Sequence, residues 1–271
     1  MDYKTYPPSS GLSNYVRCYW TLDAPKEPNP EKQRIVPDGC MEMIFHYGHL
    51  YQQYTPEGSP VLQPRCFVFG QVTRPLEIEP TGETGVFAVR FLPEGFSAFA
   101  TFPVGDMENR AVPLQELFAE DGIALEKEIL NALNTEERIQ LVSRFLQHKL
   151  ITPESVHQLV RSSVAAMMLL RGQLSVDELT GNLKVNRRQL ERKFSLAVGL
   201  SPKQLSKIIR LQSVLKMMAE PGFTSLTNIA YQGAYYDQAH FIKDFKEFTG
   251  MSPKKFYGGN LKMSSLFSGR D

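Results

Sequence analysis

The sequence predicts an α+β protein: a β-rich N-terminal domain with appended helices, then an all-α domain of two helix-turn-helix units joined by a long helix. Three observations carry that prediction. Up to about residue 93, frequent Pro and Gly cut the chain into short apolar runs of strand length. Beyond it, apolar residues recur at spacings of three and four, behind residues suited to cap helices. In the last third, one pattern is written twice, from Asn186 to Pro202 and from Asp237 to Pro253.

In the first part, Met41 to Tyr47, Cys66 to Phe69 and Val86 to Leu92 read as strands, with Glu42 and Arg90 interrupting apolar neighbours at alternating positions. Helices then take over. Asn134 and Glu137 form a capping-box start for a helix reaching about Lys149. Between Pro113 and Lys149, the residues Leu125, Ile129, Leu133, Leu141 and Phe145 offer apolar stripes that suit either the monomer's own core or a dimer contact. Thr152-Pro153 reads as an N-cap followed by proline at the first helical position, and Gly172 as the stop of that helix. The expected divisions are residues 1–152, residues 153–258 and a flexible tail at 259–271, rich in Gly and Ser.

Within the helical domain, Ser175 and Glu178 open a helix that buries Leu179 and Leu183, and Asn186 with Gln189 opens the next. In that next helix Leu190 and Phe194, four residues apart, commit one face to the core and turn Arg187, Arg188, Glu191 and Arg192 outward. Ser201-Pro202 with Gln204 opens a long helix ended by Pro221-Gly222, its apolar face built from Leu205, Ile208, Leu211, Leu215 and Met218. In the second copy, Asp237 caps a helix that buries Phe241 and Phe245 and presents Gln238, Ala239, Ile242 and Lys243, with His240 beside Phe241. From Asn186 and Asp237 onward the copies keep an offset of 51 (237 less 186). Leu179-Thr180 and Ile229-Ala230 lie 50 apart, which places a one-residue insertion, Tyr236, in the second turn.

Charge divides the chain at the same place. Residues 161–271 carry 17 Lys and Arg against 8 Asp and Glu, a net +9, while residues 1–160 carry 13 against 21, a net −8. A basic helical domain points to a polyanion, double-stranded DNA in particular. The outward side chains suit it. Arg can pair bidentately with guanine, Glu can accept from cytosine, Gln238 can pair with adenine, and Ala239 or Ile242 can meet a thymine methyl. Roughly 19 residues of intervening helix span about 28 Å, of the order of the ~34 Å between successive major grooves on one DNA face. His240 is expected to be structural or to contact phosphate.

Other classes find little support. Cys18, Cys40 and Cys66 form neither a metal spacing nor a disulfide framework, which fits a reducing cytoplasm. No stretch approaches about 18 uninterrupted apolar residues, so no membrane partner is expected. There is no Gly-rich phosphate loop and no Gly-x-Ser-x-Gly elbow, and His46 and His49 lack a third ligand; no cofactor or metal is expected.

Residues from about 154 to 258 resemble the AraC/XylS-type DNA-binding domain. The marks are the two Phe-x4-Gly-x-Ser-Pro endings, Phe194 to Pro202 and Phe245 to Pro253, and the run Tyr235-Tyr236-Asp237-Gln238-Ala239-His240-Phe241. The resemblance implies base contacts at Arg188, Glu191 and Arg192 in the first unit and at Gln238, Ala239 and Lys243 in the second. Lys184, Ala234 and Thr180 depart from the residues usual in its turns. The N-terminal part is similar to the sensory or oligomerisation domains of a subgroup of such regulators, through Ile35 to Phe45 and Val89 to Gly95. A transcription regulator so built would bind a small-molecule effector, form a homodimer or touch RNA polymerase.

Three questions stay open on sequence. Arg90 with Glu42 either lines a ligand pocket or forms a structural ion pair, Glu42 or Asp38 being the partner. Cys40, after Pro37-Asp38-Gly39, is either an inert thiol or the alkyl acceptor of a DNA-repair protein. The helical domain binds either DNA or another protein, which salt dependence separates.

Overall fold

A computed structural model describes residues 1–54, 59–151, 154–219, 233, 235 and 237–259. Thr152-Pro153, Pro221-Gly222, Ile229-Ala230, Ala234, Tyr236 and the tail from 260 therefore lie outside the described residues.

The N-terminal part is built from ten strands: β1 (Asp2–Tyr6), β2 (Val16–Ala24), β3 (Gln33–Ile35), β4 (Glu42–His46), β5 (Tyr51–Tyr54), β6 (Pro60–Leu62), β7 (Cys66–Phe69), β8 (Leu76–Pro80), β9 (Thr84–Phe91) and β10 (Ala111–Pro113). They form two antiparallel sheets, one ordered β1-β2-β9-β4-β7-β10 and the other β3-β8-β5-β6. The three apolar runs read as strands are β4, β7 and β9. The expectation that helices replace strands beyond residue 93 needs one correction, since β10 pairs there with β7 and closes the sheet edge.

Strand alternation explains why the central strands carry apolar residues on both faces. Met43 and Phe45 of β4, with Phe87, Val89 and Phe91 of β9, pack with the helices α1 (Leu114–Asn131) and α2 (Thr135–Lys149) in one core. Their neighbours Ile44, Val86 and Ala88 face the second sheet. α2 begins as its sequence implies: Asn134 Oδ1 accepts from Glu137 N at 2.9 Å, and Glu137 reaches back to Leu133 N at 2.7 Å. Leu125 and Ile129 are buried in this core and Leu141 and Phe145 partly so, but Leu133 is 90% exposed. It sits after the end of α1, where the chain has turned out of the helical register.

The helical part comprises α3 (Glu154–Leu169), α4 (Val176–Leu183), α5 (Arg187–Val198), α6 (Pro202–Ala219), α7 (Gln238–Thr249) and α8 (Pro253–Gly259). Its core joins Val160, Val164 and Met167 of α3 to Phe194 of α5, Leu205, Ile208, Leu211 and Leu215 of α6 and Phe241 and Phe245 of α7. Gly172, with φ +70°, closes α3 by donating its N–H to Met167 O at 2.8 Å.

Candidate nucleic-acid interface and inter-sheet pocket

The sequence repeat is a structural repeat. α5 and α7 are each 12 residues long. Each starts at an Asn or Asp whose carboxamide or carboxylate accepts first-turn amides, Asn186 from Arg188 and Gln189, Asp237 from His240. Each ends at a glycine in the left-handed region, Gly199 with φ +77° and Gly250 with φ +74°, and a proline then opens the next helix. Upstream, the reciprocal Ser175–Glu178 capping box fixes α4, and Lys184 supplies the turn into α5 with φ +53°. Where glycine is usual, this lysine adopts the conformation glycine would.

On α5, Arg187, Arg188 and Arg192 are exposed and Glu191 is half-buried. Arg187 is engaged locally: its Nη1 lies 3.1 Å from Asp177 of α4 and its Nε 3.0 Å from Glu191. Those pairs tie α4 to α5 and occupy part of Glu191's acceptor capacity. Arg188 and Arg192 make no side-chain hydrogen bond or ion pair among the described residues, so both guanidinium forks face solvent.

On α7, Gln238, Ala239 and Lys243 are exposed. Ile242 is not turned outward as expected; it is half-buried against the helical core, because the face carrying Phe241 and Phe245 is wide enough to include it. His240 is edge-on to Tyr235, and its Nε2 stands 3.4 Å from Asp244 Oδ2. Asp244, which the sequence reading passed over, is buried and also bonds Lys207 of α6 at 3.0 Å. Burial alone would lower the Lys207 pKa, but its bonds to Asp244 and Glu247 raise it above the ordinary value. This pair fixes α7 on α6, and with it the disposition of the second candidate reader.

Between the two β-sheets lies a pocket with about 770 Å³ of atom-free space, part of it open to solvent. Trp20, Leu22, Ile44 and Val86 form one wall, and Ile35, Tyr51, Leu76 and Ile78 the other. Arg90 and Glu42 face each other across the β9–β4 pairing. Arg90 Nη1 donates to Glu42 Oε1 at 3.2 Å, its Nη2 bonds Asp38, and Trp20 Nε1 donates to the same Glu42 oxygen at 3.1 Å. Burial opposes the Arg90 charge, but Asp38 foremost among its partners holds its pKa well above the ordinary value. Burial pushes the Glu42 carboxyl up, against Arg90. Arg90 is thus ion-paired, and the paired cluster lies in the pocket lining.

His46 lies further along β4 and also lines the pocket. It is 3% exposed, stacked on Tyr51, and neither ring nitrogen has a hydrogen-bond partner among the described residues. Burial pushes its pKa down to about 4; the Gln63 side chain, close to the ring but outside hydrogen-bonding geometry, favours protonation and pulls the other way. His49 is remote from this role, its Nδ1 resting 3.3 Å from Glu83 O. Among the described residues no group of three His, Cys, Asp or Glu side chains could hold a metal ion. Cys40 is buried, and burial with nearby Asp38 pushes its thiol up to about 11. It is therefore a protonated thiol at neutral pH, poorly suited to nucleophilic alkyl transfer.

The segment after β3 joins the pocket to the helices. Val36, Asp38 and Cys40 line the pocket, yet Val36 is also part of the helical core. Gln212 of α6 donates to Pro37 O at 2.6 Å. Gly39, with φ +78°, approaches α6 so closely that a Cβ there would lie 2.8 Å from Leu205 Cδ1. Arg34 pairs with Glu77 and donates to Thr249 O at the end of α7 at 3.1 Å. At the end of α5, a Cβ on Gly199 would lie 3.2 Å from Gly105 Cα.

Fold and site together define a class: a β-rich domain holding a pocket, docked on a helical domain that displays two equivalently capped helices. Residues 179–258 match the model described as "Helix-turn-helix domain", and residues 4–113 match one described as "Domain of unknown function (DUF6597)". The helix-turn-helix match takes in α5, α6 and α7 and is a likeness of this part of the chain to that family. An "Uncharacterized HTH-type transcriptional regulator" of Haemophilus influenzae is 26% identical over 152 residues, 53% of this chain and 51% of that protein. A "Probable thc operon regulatory protein" of Rhodococcus erythropolis is 30% identical over 84 residues, 30% of this chain and 25% of that protein. The chain thus spans about half the length of the first of these relatives and a quarter of the second. Among solved structures, ToxT from Vibrio cholerae aligns over 93% of this chain and 99% of its own, at 13% identity and a TM-score of 0.45. The AraC-like transcriptional activator CuxR aligns over 79% and 86%, at 12% identity and a TM-score of 0.30.

Proposed function

We propose that this protein is a sequence-specific DNA-binding transcription regulator. Its readers are α5 and α7, and its control input is the pocket between the two β-sheets. The observation that carries the reading is the duplicated helix, capped at one end by Asn or Asp and closed at the other by Gly, on a domain matching a helix-turn-helix family and carrying unpaired Arg188 and Arg192 on its surface. Base contacts fall to Arg188, Glu191 and Arg192 and to Gln238, Ala239 and Lys243. Arg187 contributes by holding α4 and α5 together, and His240 by bracing α7 against phosphate. The functional division lies at 152/153.

A small-molecule effector in the pocket would act through Val36 to Cys40 on α6, the helix that spaces the readers. Dimer formation and a contact with RNA polymerase complete the proposal, in a cytoplasmic protein with no catalytic step. Among the described residues, no helix is long and apolar enough to cross a membrane.

The test is selection of genomic fragments by the purified full chain at two salt concentrations, with Arg188→Ala and Arg192→Ala as controls. Recovery of a common site with two elements about one helical turn apart, weakened steeply by salt and lost in the controls, supports the reading. A common partner retained at high salt, or fragments bound equally well by both variants, would overturn it.

A further inference from the structure

We infer that the inter-sheet pocket takes an uncharged, mainly apolar molecule that presents one hydroxyl or carbonyl group to His46. This rests on reading the N-terminal domain as the control input and narrows what that input can be.

Glu42, Ile44 and His46 occupy positions i, i+2 and i+4 of β4 and face the same side. At ~3.3 Å per residue, the ion cluster and the imidazole stand about 13 Å apart along the strand, with Ile44 between them. Apolar walls thus separate two polar ends of different character.

The end at Arg90 is closed to further charge. Arg90 is the one Lys or Arg side chain lining the pocket among the described residues, and it already bonds both Asp38 and Glu42. An incoming carboxylate would meet two carboxylates and no cation in excess of them, after losing its own hydration. An incoming ammonium would have to compete with Arg90 for oxygens that already accept from its guanidinium and from Trp20.

The end at His46 is polar and unspent. A neutral imidazole carries one donor and one acceptor; Gln63 is the polar side chain beside the ring, yet neither buried ring nitrogen is in hydrogen-bonding geometry with it or with any other described residue. Unmade hydrogen bonds in such a place are costly, so a group able to donate and accept gains there what it could not gain in water. Burial disfavours protonation of the ring, so it offers a dipole and not a charge.

The chain has one tryptophan, Trp20, and it lines this pocket. Its fluorescence therefore reads occupancy without DNA. The experiment titrates wild-type full-length protein with octan-1-ol, octanoate and octylammonium, molecules alike in chain and different in charge. The alcohol is expected to shift the Trp20 emission saturably, with the two ions at least tenfold weaker. His46→Phe keeps a ring against Tyr51 and Phe67, removes both nitrogens, and is expected to weaken the alcohol about tenfold, one hydrogen bond's worth. Preference for either ion would overturn the inference. So would silence from all three probes, which would leave His46 simply hydrated. The wild-type comparison stands even if the variant fails to fold. Failure of the three probes leaves the DNA-binding reading untouched, and failure of fragment selection leaves the titration standing.

Discussion

At the scale of the residue, His46 makes the sharpest statement. Its pKa is near 4 in the folded chain against 6.5 in the unfolded one, because burial disfavours the imidazolium. The unfolded chain therefore binds more protons between those values, and stability rises with pH across that window. The contribution is fully present above about pH 6.5 and lost as pH falls towards 4, for a total of about 3 kcal/mol. Glu42 and Glu94 act in the opposite sense, their carboxyls pushed up by burial, so the informative quantity is a difference between proteins. Urea unfolding of wild type and His46→Phe between pH 4 and 7 should show a gap that widens as pH falls, the variant being the more stable in acid. Parallel curves would mean that His46 titrates normally. In the sequence, His46 was legible only as an unremarkable histidine. The period-2 pattern that singled out Glu42 also reaches His46, but a pattern cannot tell whether a ring on that face finds a partner. Ile242 shows the converse: its place on a helical wheel suggested an outward side chain, and the width of the α7 core face drew it in.

At the scale of the element, legibility followed local chemistry. Caps and terminating glycines mark α2, α4, α5, α6 and α7 because those signals sit within a few residues of the bond they make. The second sheet was silent for the opposite reason. β3, β5, β6 and β8 are three to five residues long, and Tyr51 is their only buried residue, so no apolar run announces them. Half of the pocket wall was consequently invisible. Two expectations belong at this scale. Lys184 holds φ +53° in the turn between α4 and α5, a conformation costing a non-glycine residue about 1–2 kcal/mol, offset in glycine by a looser unfolded chain. Lys184→Gly should therefore stabilise the protein by about 0.5–1 kcal/mol, read as a higher denaturation midpoint with an unchanged slope. A lower midpoint would show that the lysine is held there by something stronger than the turn. Asp244 is 3% exposed and bonds α7 to Lys207 of α6. Replacing it with Ala leaves Lys207 only Glu247, and should cost about 2–4 kcal/mol while weakening DNA retention through the second reader. Unaltered retention in a destabilised variant would separate the packing of α7 from its reading.

At the scale of the molecule, pocket and readers are joined by five residues. Val36 lines the pocket and is 7% exposed within the helical core, Pro37 accepts from Gln212, Asp38 binds Arg90, Gly39 lies on Leu205, and Cys40 returns to the pocket wall. A ligand that displaces one side of this segment must move or strain the other, because close-packed contacts leave no slack to absorb it. The coupling is reciprocal: whatever the pocket's occupant does to DNA affinity, DNA does to the occupant's affinity by the same factor. Val36→Ala removes the shared methyls at a cost of about 1–2 kcal/mol, and Gln212→Ala removes the single hydrogen bond beside it. Gln212→Ala should leave the octan-1-ol titration of Trp20 within about twofold of wild type, since Gln212 does not line the pocket, whereas Val36→Ala, at the pocket wall, is compared only at saturating octan-1-ol. Both should also shrink the shift that saturating octan-1-ol produces in affinity for a selected DNA fragment. If the shift survives intact in the double variant, the signal travels another way, and the Gly105–Gly199 contact at the end of α5 becomes the route to break next.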